Sequence, residues 1–436
     1  VDAQGLPVYP GFIDSHCDLL GLGLNKFNVN LTDSKSIEEV ISRLNKHQST
    51  HNQKYLYGVG WDHKSWGPQE FPNNKKLNEG FPDIPVVLEG VDRHLLLAND
   101  KALEMGGIDQ FTNVEGGKIL INNGELTGIL IDNAINLLDK IKPEFSRKYQ
   151  IEALIAAQEI CFENGLTTVD QDGISKNKIL LIDSLQREKQ LKIRVYAMIE
   201  NDFASMDYFF KKGGIKNELL NVNSVEVNLD GVLSSRGSAL KENYSDFPEY
   251  NTQLIVNKDS LNSIAKLLVE NSFQMNTRAF GDAANEMVLD TYNSILIELD
   301  DPRWRIEHIH AISKEDISKF NSKIIPSIQP SQAISQMQWA KLRLGTERIK
   351  NAFAYKGLLD WSGVLALGSD SPYEDISPIN TFYSAVTRGL KNKDLSEGFQ
   401  VKNLLSRYEA LMGMTNWAAY ANFEENEKGS IEAGKY

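Results

Sequence analysis

The chain has 436 residues, 41% of them hydrophobic and 24% charged, an ordinary globular composition that excludes long disorder and collagen-like repeats. Its 46 Lys and Arg against 59 Asp and Glu give a net charge of −13 without any basic stripe, so nucleic acid is not an expected partner. The longest apolar runs, such as Ile324–Pro330 and Gly363–Gly368, fall well short of the ~20 residues that span a bilayer, and the two cysteines, Cys17 and Cys161, exclude a disulfide framework or a Cys-rich zinc site.

Val1 leads almost directly into an apolar segment, with no initiator Met and no signal peptide, so the sequence reads as a trimmed piece and leaves the compartment open. Eight short apolar segments of β type follow, each ending in Gly, Pro, Asp, His or a neighbouring turn residue. They are Val8–His16, Gly165–Gly173, Ile193–Ile199, Val225–Gly231, Phe273–Gly281, Arg303–His310, Ile324–Pro330 and Gly363–Asp370. Near-continuous hydrophobicity of this kind fits strands buried on both faces of a parallel sheet. Helical periods lie between most of them, at Asp259–Val269, Asp282–Leu299, Lys314–Phe320 and Glu347–Trp361. This alternation predicts an α/β fold, a (β/α)8 TIM barrel.

One connection is far too long for a simple βα unit. Residues 30–145 carry their own strand patterns, Tyr55–Gly60, Ile84–Leu88, Lys118–Asn122 and Thr127–Ile131, before a helix at Ser146–Asn164. The expected division is therefore residues 1–29 for the first barrel strand and its loop, 30–145 for a β-rich insertion, and 146–436 for the rest of the barrel and a polar tail. An insertion after a barrel strand belongs at the C-terminal mouth, where it can act as a lid.

Chemistry in such a barrel is read at the strand ends. The first strand ends Asp14-Ser15-His16-Cys17-Asp18, the fourth offers Glu226 and then Asp230, the fifth Arg278, the sixth His308, and the eighth Asp370. His16 and Asp18 lie two apart on an extended segment, which points both side chains to one face. Imidazole and carboxylate converging in a barrel mouth are apt ligands for a divalent metal. His310 is expected to support its neighbours, Cys17 to pack as a small apolar residue, and Trp61 and Trp66 to pack within the insertion. His47, His51 and His63 lie outside the barrel and receive no role.

Seven blocks carry a resemblance to the YtcJ-like branch of the amidohydrolase superfamily. They are Pro10–His16, Gly60–Asp62, Thr127–Asp132, Asp230–Leu240, Arg305–His308, Gly368–Pro372 and Gly413–Ala419, in family order over nearly the whole chain. The resemblance implies a metal-dependent barrel hydrolase of amide or other non-peptide C–N bonds, often N-acyl or N-formyl groups, in small molecules. It also implies a flanking β-sandwich, most of which is expected to be missing from this chain.

The departures from the family pattern are specific. His-x-His at the first strand is His16-Cys17-Asp18, the fourth-strand Lys is Glu226, and the fifth-strand His is Arg278. Gln332 and Gln336 replace His and Asp after the seventh strand, and an Asp-Gly-His of the insertion has become Asp92-Arg93-His94. Two readings follow. In the first, His16, Asp18, Glu226, His308 and Asp370 hold a divalent ion, with Zn²⁺ the first expectation, Asp370 moves the proton, and Arg278 and His94 bind substrate. In the second, Arg278 satisfies the surrounding carboxylates in the ion's place, leaving a metal-free binding protein. A small-molecule ligand fits both, and a homodimer is compatible with either.

Overall fold

Val, Ile and Leu runs bounded by glycine and polar residues form strands wherever both faces can be covered. The computed structural model describes residues 2, 4–66, 71–90, 95–114, 117–143, 145–389 and 399–436. It divides into two compact units, Val1–Gly23 with Ile151–Tyr436, and Leu24–Gln150.

The first unit holds eight parallel strands: β1 (Phe12–Cys17), β2 (Leu166–Ile174), β3 (Arg194–Glu200), β4 (Leu220–Asn228), β5 (Gln274–Ala279), β6 (Trp304–His308), β7 (Ile324–Ile328) and β8 (Ala366–Leu367). They pair in that order. The ring closes between β8 and β1, where Asp370 N donates to His16 O at 2.8 Å, Asp18 N donates to Ser371 O at 2.7 Å, and Cys17 bridges Ser371 in parallel. Asp14 fastens the same seam, accepting from Ser369 N at 2.8 Å and from Ser369 Oγ. Closure requires Gly368, because a Cβ there would sit 2.5 Å from His16 N. The architecture is the expected (β/α)8 barrel.

Helices follow the strands where capping residues start them. Asn257 accepts from Ser260 N ahead of Lys258–Glu270, and Ser313 accepts from Asp316 N ahead of Lys314–Ile317. The expected helix Glu347–Trp361 is shorter, Tyr355–Ser362. Positive φ at Phe353 breaks the run, and Phe353 N turns away to donate to His310 O at 2.9 Å.

The centre of the barrel is polar. Fully buried Arg305 on β6 donates from Nε to Glu307 at 2.7 Å, and from Nη1 to Asp170 at 2.7 Å and Asn422 at 3.1 Å. Its Nη2 donates to Ser327 Oγ at 3.0 Å and to Ser15 O. All five guanidinium hydrogens are thereby used.

The second unit carries a mixed sheet of six strands, in the order Val29–Asn30, Leu56–Trp61, Val86–Gly90, Leu95–Ala98, Glu125–Asp132, Gly117–Asn122. Alternation buries both faces: Leu56, Val86, Leu88, Leu95, Leu97 and Ile129 pack with Val40 and Leu44 of helix Ile37–His51. Val87, Leu96 and Leu130 pack on the other face with Leu103 and Leu138. The helix Ile37–His51 is absent from the sequence expectation, although Ser36, which accepts from Glu39 N, marks its start.

Candidate metal centre

The β1 backbone delivers His16 into the buried upper interior. Its Nδ1 lies 3.1 Å from Glu307 Oε2, while its Nε2 has no hydrogen-bond partner among the described residues. Glu307 is itself held by Arg305, so the imidazole is oriented from behind by an anchored carboxylate, the usual support of a metal-ligating histidine. Burial works to lower the His16 pKa, but the hydrogen bond and charge of Glu307, with the charges of Glu226 and Asp370, raise it to about 9.

His308 ends β6 in a left-handed conformation, φ 75°. Its ring stacks on Phe280 at 4.1 Å and meets the His16 ring edge-on at 4.7 Å. Both of its nitrogens are buried without a hydrogen-bond partner among the described residues. Burial, then the charges of Arg278, His16 and His310, push its pKa well below the usual value and keep it neutral, the form that coordinates metals.

Asp370 follows β8, also at φ 63°. Left-handed conformations at such residues cost on the order of 1–3 kcal/mol and cluster at functional sites. Asp370 Oδ1 lies 3.8 Å from His16 Nε2, and Oδ2 accepts from Gln332 Nε2. Gln332 Oε1 lies 2.7 Å from His310 Nε2, so the residue that replaces the family histidine bridges His310 to Asp370. Burial drives the His310 pKa down to about 4, leaving a neutral ring. One atom from each of His16, His308 and Asp370 lies within 4.8 Å of the other two. Two imidazoles and one carboxylate match the three-ligand set of catalytic metal sites, and the orphaned nitrogens are the donors such an ion takes.

The other sequence-assigned residues fall elsewhere. Asp18 does not continue the alternation of His16, because β1 ends at Cys17 and Asp18 turns to cap Leu19–Leu24. Its Oδ1 accepts from Gly21 N at 2.9 Å and Gln171 Nε2 at 3.3 Å. Glu226 points inward as expected, but its Oε2 accepts from Gly173 N, and neither residue joins the three-atom cluster. Gly173 permits that contact, since a Cβ there would come within 2.5 Å of Glu226 Oε2. Arg278 stands 3.7 Å from Asp172 Oδ2 and 3.9 Å from Glu226 Oε1, with its guanidinium over Phe280 at 5.7 Å. These are ion pairs beyond hydrogen-bond length, and Arg278 makes no bidentate clasp with Asp18 or Asp370. Asp230 is structural, accepting from Phe280 N, Gly281 N and Ala239 N at 2.8 to 2.9 Å. His94 lies outside the described residues.

Sequence reasoning missed Glu307 and Asp172. The inward alternation of Arg305 with Glu307, and of Asp170 with Asp172, was the available signal. Asp172 is 18% exposed, and burial followed by the charges of Asp18 and Glu226 holds its pKa well above the usual carboxylate range.

A closed parallel barrel with two imidazoles and a carboxylate at the C-terminal ends of its strands defines a metal-dependent hydrolase of the barrel type. The chain belongs to the amidohydrolase family, whose sequence profile matches residues 1–436. It is 27% identical over 447 residues to YtcJ of Bacillus subtilis, covering 100% of this chain and 83% of that protein. It is 22% identical over 457 residues to the N-substituted formamide deformylase of Arthrobacter pascens, again covering 100% and 83%. The crystal structure of an uncharacterized metal-dependent hydrolase from Pyrococcus horikoshii superposes with a TM-score of 0.80 at 27% identity, covering 98% of this chain and 83% of that one. No helix among the described residues is long and apolar enough to cross a membrane.

Proposed function

We propose that this protein hydrolyses amide or other non-peptide C–N bonds of N-acyl or N-formyl type in small molecules, with a divalent ion, Zn²⁺ first, held by His16, His308 and Asp370. The convergence of those three side chains, with the nitrogens His16 Nε2 and His308 Nδ1 and Nε2 lacking hydrogen-bond partners among the described residues, carries the reading. The five-ligand set drawn from the sequence is reduced here to three, with Glu226 and Asp172 assigned to Arg278. When bound, the ion supplies Lewis acidity toward the scissile carbonyl and toward water.

The protein's own groups do the rest. Glu307 fixes Nδ1 of His16 and leaves Nε2 as the ligand atom. Asp370 takes the proton of the attacking water and returns it to the leaving nitrogen, while Gln332 holds its other oxygen in place. Arg278 offers guanidinium donors to the substrate, its charge balanced by Asp172 and Glu226. The formyl-type substrate draws support from the deformylase relative. A panel of N-formyl and N-acetyl amines, assayed for formate or acetate release with Zn²⁺, Mn²⁺ or Fe²⁺ supplied, tests the substrate class. Metal-dependent release is expected, and silence across the panel in fully loaded protein would sink the C–N-bond assignment.

Two expectations concern the support of His16. Glu307→Gln should weaken metal affinity about 10- to 100-fold, by competition against a chelator, because the amide no longer anchors the ring. An unchanged affinity would remove Glu307 from the site. In metal-free protein, the raised His16 pKa contributes stability that is fully present below pH 6.5 and is lost as pH rises toward 9. The His16 share of the loss should reach about 3 kcal/mol at most by denaturant titration and be missing in His16→Gln, which keeps only the part due to buried groups such as Asp170 and Asp230. A wild-type stability that is flat or rising over that span contradicts the Glu307–His16 ion pair.

A further inference from the structure

Arg388 caps the helix Pro378–Thr387 at φ 48°, and its carbonyl accepts from Phe399 N at 2.8 Å. Its side chain is buried, with the residue 1% exposed. The guanidinium lies over the Tyr355 ring at 4.1 Å, and Nη2 donates to Phe353 O. Among the described residues, Nε and Nη1 have no hydrogen-bond partner and no carboxylate pairs with the guanidinium. A second orphan shares the same tyrosine. The Tyr355 hydroxyl donates to Gln329 O at 3.3 Å, and the buried side-chain amide of Gln329 has neither its oxygen nor its nitrogen paired among the described residues. Arg388 adjoins the support of the Asp370 carboxylate: Phe353, which accepts from Arg388, donates to His310 O, and His310 reaches Asp370 through Gln332.

A buried cation with neither counter-charge nor full hydrogen bonding is costly, and such a group persists where an anion completes it. Burial brings the Arg388 pKa down to about 10, which still leaves it charged at neutral pH. Loops after the seventh and eighth strands of this fold commonly build anion sites at the mouth. We propose that Arg388 is an anion subsite adjoining the support of the metal centre, so that the favoured substrates are amides bearing a carboxylate. This rests on the hydrolase reading for its catalytic meaning, but anion binding itself needs no turnover.

The test starts with the full chain free of metal, its thermal midpoint followed against sodium acetate at constant ionic strength, with neutral acetamide as control. The midpoint should climb with acetate and ignore acetamide. Arg388→Met should lose the acetate response and, without acetate, melt at or above wild type, because an uncompensated buried charge has been removed. No acetate response in wild type overturns the proposal. So does an Arg388→Met protein that fails to fold or melts well below wild type in acetate-free buffer, since the chain itself would then supply the counter-charge. In metal-loaded protein, N-acetylglycine should be preferred over N-acetylglycinamide through KM, roughly thirtyfold or more, and Arg388→Met should erase that preference. If neither amide is turned over while acetate still binds, the hydrolase reading fails and the anion site stands.

Discussion

Asp370→Asn should lower kcat by about 10²- to 10⁴-fold in protein loaded to the wild-type metal level, with the fold retained. Asp370 contributes the carboxylate of the three-atom cluster, beside two imidazoles that cannot serve as the base while they hold an ion. The amide keeps one oxygen for the ion but presents an NH2 toward Gln332 and cannot accept the proton of water. The backbone seam is untouched, since Asp370 N still donates to His16 O and Asp14 still binds Ser369. Metal content measured on the same preparation separates lost proton transfer from lost metal. Wild-type kcat in the variant would remove Asp370 from the chemistry.

Arg305→Met should destabilise the protein by about 3–5 kcal/mol, or prevent folding, because two fully buried carboxylates lose their shared cation. Glu307 would keep His16 as its ion partner, but Asp170, whose pKa burial already raises to about 7, would keep Asn422 and the charge of Lys428 and be driven to take up a proton. Neutralising the partners tests the cause. The triple variant Arg305→Met, Asp170→Asn, Glu307→Gln should regain much of the stability while still binding metal weakly, since Glu307 no longer orients His16. A single variant as stable as wild type by denaturant titration would show that the central network is incidental.

These two cases also mark how far the sequence could be read. The eight barrel strands were legible because each is a short apolar run closed by a turn residue, and all eight appear within a few residues of their expected positions. The first begins at Phe12 rather than Val8, since Leu6, Val8 and Tyr9 lie exposed ahead of it and pair with no strand among the described residues. His16, His308 and Asp370 were legible by the same logic, standing at strand ends where a barrel collects its chemistry.

What the sequence hid is what depends on pairing across the barrel. Glu307 sits inside a recognisable motif, yet its role requires knowing that Arg305 and His16 reach it from two directions. Asp18 misled because alternation was carried one residue past the strand end, where the chain had already turned to cap a helix. Arg278 shares the site with the carboxylates, and only its distances to them, which the sequence does not give, say how it meets them. It stands 3.7 and 3.9 Å from its two acidic neighbours, Asp172 and Glu226. Gln332 reads as a lost ligand in the sequence and acts as a bridge in the structure.

The most direct test of the whole account is elemental analysis of the purified protein, counting zinc, manganese, iron and nickel per chain after dialysis. About one equivalent is expected in wild type, with loss in His308→Ala. A wild-type protein that stays at zero after incubation with each ion in turn contradicts the metal centre and the hydrolytic mechanism built on it.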